Sequence, residues 1–81
     1  MSDHIFIFKF EVNNKDIIMN RIKEILEIKG IKQIWLAEKL GKSYNMVNLY
    51  AQNKRQPSLE DLFKIANILN ISVKELLVEH E

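Results

Sequence analysis

Residues 36–50, LAEKLGKSYNMVNLY, read as one amphipathic helix interrupted by Gly41-Lys42-Ser43. A chain that stops a helix after two turns and restarts it at once must turn a sharp corner. Gly41 supplies the left-handed backbone that ends the first piece, because glycine enters that region without a Cβ penalty. Ser43 accepts from the amides left exposed at the start of the second piece. Such a corner serves to aim the second helix, which carries Tyr44, Asn45 and Asn48 near its start.

Around the corner the chain reads as further short helices. Ile18, Ile22, Ile25 and Leu26 fall at helical spacing and the run stops at Gly30, which predicts a first helix over 16–29. The second covers Gln33 to Leu40 with Leu36, Ala37 and Leu40 inward. The third runs from Tyr44 to about Gln52 with Val47 and Tyr50 inward, and Asn53, tolerant of left-handed backbone, closes it. Pro57 breaks the chain. Ser58 with Asp61 approximates a capping box and opens a fourth helix burying Leu62, Ile65, Ala66 and Leu69. Ser72 with Glu75 repeats the device for a fifth, burying Leu76 and Leu77. Leu36, Ala37, Val47 and Leu62 are expected to be fully buried where the second, third and fourth helices cross.

One strand signature stands apart. Residues 4–12, HIFIFKFEV, alternate with Phe6, Phe8, Phe10 and Val12 on one side. A lone strand has no ladder partner within its own monomer. It would pair with the same strand of a second copy, lie extended over apolar surface near Trp35, or remain a disordered tail. Residues 1–15 are therefore set apart as an N-terminal extension and dimerisation arm, ahead of a helical domain over 16–81.

Composition limits what this arrangement can do. With 81 residues, 47% of them hydrophobic, the chain supports one small core. It has no Cys, which excludes disulfides, thiolate chemistry and a zinc knuckle. The apolar run Ile5 to Phe8 is too short for a signal peptide or membrane span, so a soluble, cytoplasmic protein is expected. His4 and His80 lie near opposite ends, outside any ligand-spaced cluster. There is no phosphate-cradling Gly-rich loop and no room for a deep substrate cleft, so the expectation is a non-enzyme with no cofactor or metal. Glu60 and Asp61 read as first-turn charges favoured by a helix dipole.

The net charge of +1 conceals a division along the chain. Residues 21–55 hold eight basic residues against Glu24, Glu27 and Glu38, whereas residues 56–81 hold Lys64 and Lys74 against five acids. Between Glu38 and Glu60 there is no acidic residue at all. The basic block coincides with the broken-helix stretch, where a polyanion would be held.

Counting from Gln33, Ala37 is fifth, Gly41 ninth, Val47 fifteenth and Tyr50 eighteenth, with Leu36 fourth and Leu40 eighth. This resembles the helix-turn-helix pattern: a small residue where helices cross, Gly at the turn and a β-branched residue beneath the second helix. The wider run, QxxLAEKLG followed by NKRQPSLEDLFKIANILNIS, is similar to the Cro/C1-type (XRE) DNA-binding domain over residues 20–79. The resemblance implies an all-α, five-helix, lambda-repressor-like domain, here preceded by one short N-terminal β-strand. It also implies that the helix at 33–40 lies across a DNA backbone while the helix at 44–52 enters the major groove.

Roles follow by position in the family. Gln33, first in its helix, would bring a side chain and helix N-terminus to a phosphate. Ser43, Tyr44, Asn45 and Asn48 would face the bases; Asn pairs bidentately with adenine, and Tyr bonds a phosphate or packs on a thymine methyl. Lys54 and Arg55 fall in the loop that runs beside the backbone. Lys42, Leu49 and Gln52 complete the DNA-facing set. The chain also departs from the family. Tyr50-Ala51-Gln52-Asn53 stands where Trp-Glu-Asn-Gly is usual, which removes a Glu and its negative charge. Lys42 replaces a commonly apolar residue, giving a looser and more positive turn. Leu49 sits at a usually polar position, to contact thymine methyls or to be semi-buried. Ile34 and Trp35 stand where exposed polar residues are common.

These features imply sequence-specific binding of double-stranded DNA by a small transcriptional regulator, acting as a repressor and as a homodimer on a palindromic operator. Two alternatives use the same scaffold: a protein-interaction module that has lost DNA binding, and an antitoxin that neutralises a protein partner through its N-terminal segment. A dimer built on the fifth helix with outward Phe63 and Ile68 competes with pairing of the N-terminal strands.

Overall fold

A computed structural model describes residues 19–78 of the chain. Four helices, α1 (Ile22–Lys29), α2 (Gln33–Leu40), α3 (Tyr44–Ala51) and α4 (Leu59–Leu69), are followed by a 3-10 turn at Val73–Leu76. Among the described residues the fold is all-α. The N-terminal strand expected at residues 4–12 lies outside the described residues.

All four helices end the same way. Each helix terminus leaves carbonyls without intrahelical partners, and here a left-handed residue just past the end folds the next two amides back onto them. At α2, Gly41 (φ 77°) directs its N–H to Glu38 O at 3.3 Å and that of Lys42 to Ala37 O at 3.0 Å. Gly30 closes α1 in this manner, with Ile31 N–H donating to Leu26 O at 2.9 Å. Asn53 closes α3, with Lys54 N–H donating to Leu49 O at 3.0 Å, and Asn70 closes α4, with Ile71 N–H donating to Ala66 O at 2.9 Å. This is the Schellman closure, which needs φ > 0 at one position. Gly30, Gly41, Asn53 and Asn70 are the only positive-φ residues among those described, so every left-handed position in the domain is a helix stop.

The space around Gly41 is open to a Cβ, so substitution there tests backbone strain alone. Gly41→Ala should destabilise the domain by about 1–2 kcal/mol. Thermal melts check this, and an unchanged melting temperature would mean that the corner does not depend on the left-handed backbone.

The core draws on every helix. Ile22, Leu36, Val47, Ile65 and Leu76 are fully buried, and Ile25, Leu26, Ala37, Tyr50, Ala51, Ala66 and Leu69 surround them. α2 packs on α3 and α4, α3 also touches α1, and the 3-10 turn packs on α4. Ala37 is buried, as its small size at the crossing demands.

Five expectations are corrected. The first helix begins at Ile22, not near residue 16. Asn20 instead forms an antiparallel bridge with Leu77, flanked by Arg21 N–H to Leu76 O at 2.7 Å and Val78 N–H to Met19 O at 2.8 Å. The fifth helix is a four-residue 3-10 turn, because Leu77 must be extended (φ −111°, ψ 143°) to join that bridge; Leu77 is therefore only half-buried. Leu62 is also half-buried. The inward stripe of α4 runs through Asp61, Ile65 and Leu69 and leaves Leu62 on its flank. Ile68 is half-buried against the core rather than outward, whereas Phe63 is exposed.

Capping matches the sequence in part. Ser43 Oγ accepts from Met46 N–H at 3.1 Å, and Ser58 Oγ accepts from Asp61 N–H at 3.1 Å. Glu75 reaches back to the backbone N–H of Ser72, but the Asp61 carboxylate does not complete the equivalent box. It pairs with Lys42 Nζ at 3.3 Å. At the start of α1, Arg21 Nε donates to Glu24 Oε1 at 2.9 Å; that bond and the adjacent guanidinium charge hold the Glu24 carboxyl below the usual carboxylate range.

Candidate nucleic-acid interface

The corner between α2 and α3 is built from a Schellman stop and a serine cap one residue apart, so the direction of α3 is fixed by backbone geometry at both ends. Lys42 lies between them. Its ammonium pairs with the Asp61 carboxylate on α4 at 3.3 Å, which links the corner to α4 and offsets part of the added positive charge.

α2 and α3 share a polar surface. Asn48 Nδ2 donates to Gln33 Oε1 at 2.9 Å, and Gln52 Nε2 donates to Asn48 Oδ1. Gln33 at the first turn of α2 is thereby bonded across the corner to the middle of α3, and onward to its end. The structure thus joins Gln33, Asn48 and Gln52 into one chain of amides. Tyr44 is exposed and lines a shallow groove with Lys32, Gln33 and Ile34. Ser43 is exposed but its hydroxyl is engaged as the α3 cap. Asn45 projects into solvent from the first turn of α3, and Leu49 is half-buried.

Lys54 and Arg55 are exposed just past α3, and both of their backbone amides donate to Leu49 O, at 3.0 and 3.3 Å. Their loop is held by a polar cluster centred on Asn20, which is 4% exposed. Asn20 Nδ2 donates to Tyr50 O at 2.9 Å and to Gln56 Oε1 at 2.8 Å, and its Oδ1 accepts from Ile22 N–H at 2.9 Å. The sequence reading missed Asn20 and Gln56. The signal for Asn20 was an Asn two residues ahead of the first buried helical Ile, the grammar of a helix start, obscured by the helical spacing of Ile18.

Ile34 and Trp35 stand out from α2, 54% and 39% exposed, with Lys39 Nζ 5.5 Å above the Trp35 ring. Ile34 lines both of two open grooves, and Trp35 lines the second beside Gly30, Ile31 and Glu38. Among the described residues no cluster of His, Cys, Asp or Glu is arranged to hold a metal ion, and no helix is long and apolar enough to cross a membrane.

A braced two-helix corner with a continuous polar face on its second helix defines a helix-turn-helix protein. The family model described as Helix-turn-helix matches residues 22–76, more than half of the chain. The chain belongs to this family, in its Cro/C1 (XRE) branch. Among solved structures that match is the crystal structure of a candidate DNA-binding protein from Bacteroides fragilis. It is 43% identical, with a TM-score of 0.74, and the match covers 75% of this chain and 98% of that one. Among curated proteins none matches.

Proposed function

We propose that the chain binds double-stranded DNA sequence-specifically, with α2 across the backbone and α3 in the major groove, as a small transcriptional regulator of the cytoplasm. The observation that carries this reading is the corner itself: two capped, braced helices presenting a shared polar face, in a chain of the Cro/C1 helix-turn-helix family. The basic, acid-free stretch 39–59 supplies the sign of charge such a partner requires. In this reading Gln33, Lys54 and Arg55 meet phosphates, and Ser43, Tyr44, Asn45 and Asn48 face the bases, with Tyr44 also within reach of a phosphate. Leu49, Gln52 and Lys42 complete the DNA-facing set, Lys42 by exchanging its pairing with Asp61.

The amide chain refines the division of labour. To pair with adenine, Asn48 must exchange both of its present side-chain bonds, whereas Asn45 is presented to solvent. Selection of binding sites from random duplexes tests the function and yields the half-site together. On that site Asn45→Ala should cost about 1–3 kcal/mol and relax preference at one base pair. Unchanged affinity and preference would remove Asn45 from the readout.

Repression by occupancy of a palindromic operator as a homodimer belongs to the same proposal, since two recognition helices about 34 Å apart read successive major grooves. Pairing of residues 4–12 between two copies would supply that dimer. Deleting residues 1–13 should then give a helical monomer by sedimentation, with weakened binding to the full palindrome. A truncated protein that stays dimeric places the interface elsewhere. A second reading, in which the scaffold also engages a protein partner as an antitoxin does, is supported by Ile34 and Trp35, whose exposure serves no purpose in the core.

A further inference from the structure

We infer that Asn20, far in sequence from the recognition helix but bonded to its last turn through Tyr50 O, positions the Lys54–Arg55 loop against the DNA backbone, and that Asn53 is its built-in counterpart. The inference rests on the DNA-binding reading above for its functional part and on the hydrogen-bond network for its structural part.

Asn20 and Leu77 form an antiparallel pair whose hydrogen bonds are made by their neighbours, Met19, Arg21, Leu76 and Val78. The N–H and C=O of Asn20 itself therefore point away from Leu77, as the open edge of a two-stranded ladder. Asn53 closes that edge. Its Oδ1 accepts from Asn20 N–H at 2.8 Å and its Nδ2 donates to Asn20 O at 3.2 Å, so one side-chain amide serves as a third strand. The side chain of Asn20 then holds both ends of the turn around Asn53, Tyr50 O on one side and Gln56 Oε1 on the other. Gln56 Nε2 returns to Asn53 Oδ1 at 2.9 Å and completes the ring.

Lys54 and Arg55 lie inside this ring of bonds, their amides on Leu49 O and their side chains exposed. A phosphate contact made by a flexible cation gains little, because ordering the loop offsets the attraction. Here the backbone is ordered before DNA arrives. The chemistry also accounts for Asn at the position where the family usually has Gly. Gly would close α3 equally well, but only a side-chain amide can also seal the Asn20 edge.

The test uses the full chain with Asn20→Ala and with Asn53→Gly. The latter retains a residue suited to left-handed backbone, so it is the variant least at risk of unfolding. Amide exchange in the free protein should accelerate about tenfold or more at Lys54 and Arg55 relative to Val47 and Tyr50 inside α3. On a duplex selected by the unmodified protein, the dependence of log affinity on log salt should shallow by about 0.9 for each phosphate no longer neutralised, with the preferred half-site unchanged. Adding either substitution to a Lys54→Ala, Arg55→Ala background should produce no further decrease in slope. A purely structural role would instead accelerate exchange throughout α3 and leave the slope intact. The proposal is overturned if both variants keep the Lys54 and Arg55 exchange rates, if they leave the salt slope intact, or if the decreases in slope add. If the unmodified protein binds no duplex, the DNA reading fails, and exchange at Lys54 and Arg55 alone decides the positioning role.

Discussion

Leu36→Ala should lower the unfolding free energy by about 2–5 kcal/mol, the range for truncating a fully buried leucine. Leu36 has no exposed surface and sits on α2, the helix that packs on both α3 and α4. Truncation leaves a cavity that none of these helices can fill without tilting the corner, since Gly41, Ser43 and the Lys42–Asp61 pair fix its geometry. Small domains have only about 5–15 kcal/mol of stability in total, so the variant should be largely unfolded at modest denaturant. Chemical denaturation followed by helical circular dichroism measures the effect. A loss below about 1 kcal/mol would mean that the α2–α3–α4 junction is looser than described.

Removing both charges in Lys54→Ala, Arg55→Ala should weaken binding to every duplex, selected or random, by a similar factor. If each residue neutralises one phosphate, the salt slope should shallow by about two. Phosphate contacts carry no sequence information, so the ranking of sites should survive. This behaviour separates the pair from Asn45, whose removal should alter the ranking. A titration series over several salt concentrations, on the selected site and on a scrambled duplex, distinguishes the two. A change in site preference on removing the two charges would place them in the groove rather than beside it.

Much of this domain is legible along the chain, because helix stops, caps and apolar spacing are local. Gly30, Gly41 and Asn53 end helices for a reason that involves only their own φ, and the Ser43 and Ser58 hydroxyls reach amides three residues on. The inward positions Leu36, Ala37, Val47, Ile65 and Leu69 follow from a period of 3.6 and needed no knowledge of their partners. The corner that aims α3 was therefore readable before any packing was known.

What tertiary structure decided is where polar groups find partners far away in sequence. Asp61 reads as a capping residue by its distance from Ser58, but the nearness of Lys42 across the α2–α3 turn takes its carboxylate instead. Asn48 and Gln52 read as groove-facing surface, yet Gln33, fifteen residues before Asn48, engages the first of them. Asn20 sits 33 residues from Asn53 and 36 from Gln56, and Leu77 lies further still. Helical spacing carried the first helix through Asn20, whereas burial with a closed set of partners starts it only at Ile22. Apolar periodicity specifies which face turns inward, because any apolar surface satisfies another. A buried amide is satisfied only by particular atoms at hydrogen-bond distance, and which atoms those are was settled only when the helices had packed.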